Sequence, residues 1–155
     1  MEQVQSQDYR KPEFEIMEII LTDDDDEDLY LTKEAAEIAG IHAAFKTLHS
    51  GEELCDYLNI KADSQDTPYK CIAMVDINMP GIGGLKALEK IKNNPKTKHI
   101  PVIIYSTSSS QKDIDKAYQL GANSYLVKPV EFQGLVDLMY RFNGYWVELV
   151  TLKKN

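Results

Sequence analysis

The chain has 155 residues, 43% of them hydrophobic and 27% charged, with a formal net charge of −8 at pH 7. That length suits one domain with a sizeable core, and the composition excludes a disordered chain. The negative balance disfavours nonspecific attraction to nucleic acid or to an anionic membrane surface, so metal cations and basic protein surfaces are the expected partners.

The opening MEQVQSQDYRKPE (residues 1–13) is polar, lacks the apolar centre of a signal peptide, and is expected to be a flexible tail ahead of a folded unit spanning residues 14–152. FEIMEIIL (14–21) is an isoleucine-rich strand candidate. Behind it comes LTDDDDEDLY, an acidic run leading into a segment whose Leu29, Leu31, Ala35, Ile38 and Ala39 approximate helical spacing. IHAAFKTLHS predicts a second strand, GEELCDYL a short helix, and NIKADSQDTPYK (59–70) a surface loop. KCIAMVD is a third strand, and GGLKALEKIKNN a helix ended by Pro95. IPVIIYS and NSYLVK are two further strands, separated by the helical QKDIDKAYQLGA with Gly121 as its stop. The final segment carries an apolar seam at Phe132, Leu135, Val136, Met139, Phe142, Trp146 and Leu149.

Five strands alternating with five helices call for a doubly wound α/β fold, a parallel sheet covered on both faces. No apolar run reaches membrane-spanning length. Cys55 and Cys71, sixteen positions apart with no second pair, match neither a zinc site nor a redox pair. They read as buried thiols in a reducing compartment, and the expected address is cytoplasmic.

In an open α/β sheet, function gathers beyond the carboxyl ends of the strands, where strand order reverses. The first strand ends in Thr22, Asp23 and Asp24, the third in Asp76, the fourth in Ser106 and Thr107, and the fifth in Lys128. A strand order of 2-1-3-4-5 would bring Asp23, Asp24 and Asp76 together. Three carboxylates about 5 Å apart repel one another by roughly 3 kcal/mol per pair at an effective dielectric near 20. Either some take up protons, or a divalent ion with a preference for hard oxygen ligands, such as Mg2+, occupies the site. Lys128 and the Ser106 hydroxyl would complete a pocket for a small dianion such as a phosphoryl group.

The acidic pair, VDINMPGIGGLKAL, IPVIIYSTSSS and GANSYLVKPV, in that order, resemble the receiver domain of two-component response regulators over residues 15 to 150. The resemblance implies the flavodoxin-like, CheY-like fold with strand order 2-1-3-4-5. It implies Asp76 as phospho-acceptor, Mg2+ held by Asp23, Asp24, Asp76 and the Asn78 carbonyl, Lys128 as the phosphoryl-binding ammonium and Ser106 as the switch hydroxyl. Tyr125 would be the switch aromatic, and Asn78 and Ser108 would tune dephosphorylation. Separations of 30 residues from Asp76 to Ser106 and 52 to Lys128 agree with the family. Lys128-Pro129 matches a peptide commonly cis in receivers. Thr22 departs from the usual aliphatic residue.

The acidic run, the long loop and the NGYWVELVTL ending resemble single-domain regulators, some of which work with phytochrome-like kinases. The implied partners are a sensor histidine kinase or a histidine phosphotransfer protein and an unidentified downstream protein, with no nucleic acid or membrane and with a possible homodimer through the last helix. Such a chain is no enzyme beyond Mg2+-dependent self-phosphorylation and autodephosphorylation.

Other readings compete. Acidic residues at a helix start suit capping and the macrodipole, which accounts for Asp25 to Asp28. An EF-hand fails, because Asp28 stands where its glycine belongs and a strand precedes the loop. A phosphatase of the haloacid dehalogenase type would use Asp23 and Asp25 with Ser106 and Lys128 but leave Asp76 idle. A receiver-like module that binds without being phosphorylated is the third alternative.

Overall fold

The structure is a computed structural model that describes residues 17–64 and 70–153. In chain order it runs β1 (Met17–Thr22), α1 (Asp26–Ile38), β2 (Ala44–Leu48), α2 (Gly51–Asp63), β3 (Lys70–Val75), α3 (Gly83–Asn93), β4 (Val102–Ser106), α4 (Gln111–Gln119), β5 (Ser124–Val127) and α5 (Phe132–Phe142), followed by a π-helical turn, Asn143–Val147. The strands form one parallel sheet in the order β2-β1-β3-β4-β5. The predicted doubly wound fold with five helices is therefore the observed one. The tail at residues 1–13 and the start of the first predicted strand lie outside the described residues.

Strand alternation builds two cores from one sheet. Ile19, Leu21, Ile72, Met74, Ile103 and Tyr105 face α1 and α5, meeting Leu29, Ala35, Leu135, Met139 and Phe142. Ile20, Ala73, Val75, Val102 and Ile104 face the other way, onto Leu54, Leu58, Leu88, Ile91 and Ala117 of α2, α3 and α4. The central strands are apolar on both faces because helices cover both. Each such isoleucine contributes roughly 1.5–3 kcal/mol by leaving water.

Two helix starts carry polar side-chain caps. Asp25 caps α1 by accepting from the Glu27 and Asp28 amides, and Ser50 caps α2 by accepting from Glu53. Gly121, at φ +102°, ends α4 in the left-handed conformation that L side chains avoid.

Three expectations are corrected. Helix α2 extends to Asp63, so residues 59–63 are helical rather than loop. Its last turn is polar and therefore silent in apolar periodicity, and contacts with the end of α3 hold it: Asn94 donates to Asn59 at 3.0 Å and Lys96 pairs with Asp63 at 2.6 Å. The seam of the last helix is not one α-helix. After Phe142 it widens into the π turn, fastened by Glu148 N donating to Asn143 O and Asn143 Nδ2 donating to Glu148 Oε1. Finally, among the described residues no peptide bond is cis, Lys128–Pro129 included. The lysine still points inward, because the pleat of β5 carries its side chain toward the α1 and α5 face.

Candidate functional site

The register of β1 against β3 pairs Thr22 with Val75, so the residues that follow each, Asp23 and Asp76, leave the sheet side by side. Asp76 N donates to Thr22 O at 3.0 Å and Asp23 N to Leu48 O at 3.0 Å, fixing the backbones at the strand ends. The outcome is the convergence expected from that strand order: carboxylate oxygens of Asp23, Asp24 and Asp76 all lie within 4.8 Å of one another. Asp24 is exposed at the rim, Asp23 is buried and Asp76 is intermediate.

Lys128 enters from the end of β5. Its Nζ donates to Asp23 Oδ2 at 2.5 Å and lies 3.5 Å from both Asp76 Oδ2 and Asp28 Oδ2. The Lys128, Asp23 and Asp76 side chains are only 8%, 7% and 13% exposed, so these charges interact with little water between them. Burial raises the Asp76 carboxyl above its ordinary range, Lys128 pulls it down, and Asp23 pushes it up again. For Lys128, burial disfavours the ammonium, but Asp23, Asp76 and Asp28 outweigh it and hold the group above its ordinary value.

The loops add the remaining predicted residues. Asn78 N donates to Asp76 Oδ1 at 3.3 Å, which places the exposed Asn78 at the mouth of the site. Gly84 packs so closely on the acceptor strand that a Cβ there would overlap the Asp76 carbonyl. Ser106 is fully buried beside Asp76, where its hydroxyl favours the ionised carboxylate. Ser108 N donates to Ser106 Oγ at 3.2 Å, Ser108 Oγ donates to Asp113 Oδ2 at 2.6 Å, and the Tyr125 hydroxyl donates to Ser108 O at 2.8 Å. A continuous chain of bonds thus links the acceptor pocket to α4 and β5.

Three participants were not read from the sequence. Asp28 faces Lys128 while its neighbours in the run face solvent, and only the helical phase of α1 separates it from them. Tyr105 lies under the ammonium, 5.1 Å from ring centroid to Nζ. Its signal was present: it precedes Ser106 on one strand and so belongs to the opposite face. Asp113 opens α4 and looks like an ordinary first-turn acid until Ser108 is seen to donate to it. Asp25, the second carboxylate of the phosphatase alternative, is instead the α1 cap and exposed.

Residues 19–140 match the model of the response regulator receiver domain. The chain belongs to that family. It is 29% identical to response regulator Rcp1 of Synechocystis over 86% of this chain and 91% of that protein. The Mn2+-bound crystal structure of Rcp1 superposes with a TM-score of 0.76, covering 88% of this chain and 98% of that one. The phosphorylated cyanobacterial phytochrome response regulator RcpA is 28% identical, with a TM-score of 0.78 over 88% and 98% of the two chains. Response regulator RPA3017, from red light signaling of R. palustris, is 31% identical with a TM-score of 0.81 over 90% of this chain and all of that one.

As a receiver, the chain works in two-component phosphorelay signalling, taking its message from a histidine kinase or phosphotransfer partner. Receivers are in general not enzymes, and they bind divalent metal. The Asp23, Asp24 and Asp76 donors fit such an ion, being three hard oxygen ligands whose mutual repulsion a dication would relieve. Among the described residues no helix is long and apolar enough to cross a membrane.

Proposed function

We propose that Asp76 is the phospho-acceptor and that Lys128, Ser106 and a Mg2+ ion held by Asp23, Asp24, Asp76 and the Asn78 carbonyl serve the transfer. One observation supports this most: three carboxylates from two strand ends converge beside a buried ammonium. An Asp76 oxygen attacks the phosphorus of a partner's phosphohistidine, the P–N bond breaks, and the imidazole leaves with a proton from solvent. The product is an acyl phosphate, later cleaved when water attacks the phosphorus and restores the carboxylate. When bound, the ion supplies positive charge that neutralises the phosphoryl oxygens. Lys128 exchanges Asp23 for a phosphoryl oxygen, and the Ser106 hydroxyl turns toward another.

Turning Ser106 releases Ser108 N, and the bonds from Ser108 to Asp113 and Tyr125 carry the change to the face formed by α4, β5 and α5. Asn78 and Ser108, at the mouth and on the β4–α4 loop, tune the lifetime of the acyl phosphate. The receiver unit spans residues 14–152, and its address is inside the cell, where ATP-dependent kinases make phosphohistidine. The kinase is of the phytochrome-linked kind, a reading supported by RcpA and RPA3017 together.

A second copy of this chain docks on α5. There Leu126, Leu138, Phe142, Tyr145 and Trp146 line a cavity of about 480 Å3 that also includes Asp137 and Arg141, an oppositely charged pair one turn apart that a two-fold axis would cross-pair.

The test is incubation with Mg2+ and a small acyl-phosphate donor, followed by intact mass. One phosphoryl group is expected on the wild type and none on Asp76→Asn. A wild type that stays unlabelled beside a competent control receiver would overturn the proposal in favour of a binding module. Labelling that survives Asp76→Asn but not Asp23→Asn would favour the phosphatase.

A further inference from the structure

We infer that Tyr105 is a positioning residue for Lys128, presenting its ring face to the ammonium so that the charge stays in the pocket while its anionic partners change. The inference rests on the acceptor reading of Asp76. Tyr105 stands opposite Leu126 in the β4–β5 register, and Lys128 lies two residues beyond Leu126, on the same face of the sheet. The pleat therefore brings the lysine over the ring, with Nζ 5.1 Å from its centroid. That is within range of a cation–π attraction, which strengthens where water is excluded. Both groups are largely buried: Tyr105 is 6% exposed and the Lys128 side chain 8%. The phenol end lies toward α1, where the buried Thr32 lines the same cavity.

The ring has a specific task. Beside it runs a cavity of about 150 Å3, lined by Tyr105, Lys128, Asp28, Thr32 and Glu131 among others, whose acidic members offer the ammonium another home. Phosphoryl transfer requires Lys128 to leave Asp23, its partner at 2.5 Å, for an oxygen on the Asp76 side. During that exchange the carboxylates compete for the ammonium, whereas the ring attracts it equally before and after. A smaller aliphatic side chain at 105 would enlarge the cavity and remove the attraction together.

The experiment uses the full chain with Tyr105→Phe, Tyr105→Leu, and phenylalanines carrying one, two and three ring fluorines at position 105. Fluorination withdraws charge from the ring face while nearly preserving its shape. Two quantities are read: the labelling rate with a small acyl-phosphate donor at saturating Mg2+, and the upfield ring-current displacement of the Lys128 ε-methylene protons in metal-free protein.

Tyr105→Phe is expected within about twofold of wild type. The rate should fall with each fluorine to about tenfold at three, as in Tyr105→Leu, a factor equivalent to roughly 1.4 kcal/mol. Tyr105→Leu should also lose the proton displacement, which the fluorinated rings keep in part. A flat fluorine series, or a proton displacement unchanged in Tyr105→Leu, would overturn the role while leaving the acceptor reading intact. If no protein labels, the wild type included, the acceptor reading fails and the positioning role fails with it.

Discussion

Lys128 and Asp23, 105 residues apart in the chain, meet at 2.5 Å with both side chains largely buried. The contact makes Asp23 the resting partner of the ammonium and leaves Asp76, at 3.5 Å, with less of that charge. The phospho-acceptor candidate is thus the less compensated of the two acids, and the behaviour of each substitution follows from that asymmetry.

Asp76→Asn should stabilise the metal-free protein. The folded state holds the Asp76 proton more tightly than the unfolded chain, whose ordinary value is 3.8, so stability falls as pH rises from there through the raised folded value. Removing the charge should recover about 1–2 kcal/mol at pH 7, a few degrees in melting temperature. Thermal unfolding in chelator at pH 4 and pH 7 checks this: the gain should be present at pH 7 and small at pH 4.

Lys128→Met should do the reverse, leaving Asp23 and Asp76 buried without their cation. The expected loss is about 3 kcal/mol in metal-free protein, by urea unfolding. Labelling by a small acyl phosphate should slow by roughly 100-fold, as when a charge-stabilising donor is removed from a transition state.

Divalent metal should raise the melting point of the wild type, because binding only to the folded form at 100 times the dissociation constant adds about 2.7 kcal/mol. Asp24→Asn should weaken that affinity by about tenfold while altering metal-free stability little, since Asp24 is the exposed member of the three. Calorimetric titration with Mg2+ and Mn2+ measures both effects.

Lys92 offers a test away from the site. Its ammonium donates to Lys98 O at 3.1 Å and Ile100 O at 2.6 Å, and burial lowers its pKa from 10.5 to about 8. Between those two values the unfolded chain holds more protons, so stability should rise with pH from about 8 to 10.5. The same rise should be missing in Lys92→Met, when the two proteins are compared by urea unfolding across that range.

Alternation of apolar segments and turns along the chain dictated the parallel sheet, because strands buried on both faces must be apolar throughout and helices covering them must be amphipathic. The strand-terminal Asp23, Asp24, Asp76, Ser106 and Lys128 were equally readable, since in such a sheet chemistry collects at carboxyl ends. What the string of residues left open depends on direction rather than type. Which aspartate of the acidic run joins Asp23 in facing Lys128 is decided by the phase of α1, and the answer, Asp28, looks no different from its neighbours. The extension of α2 to Asp63 and the π turn after Phe142 are decided by partners from elsewhere in the chain. Tyr105 became visible under the ammonium only when β4 and β5 were in register. Local pattern reports which face a residue takes, whereas the charge, ring or carbonyl that it meets there is set by strand register and helix packing.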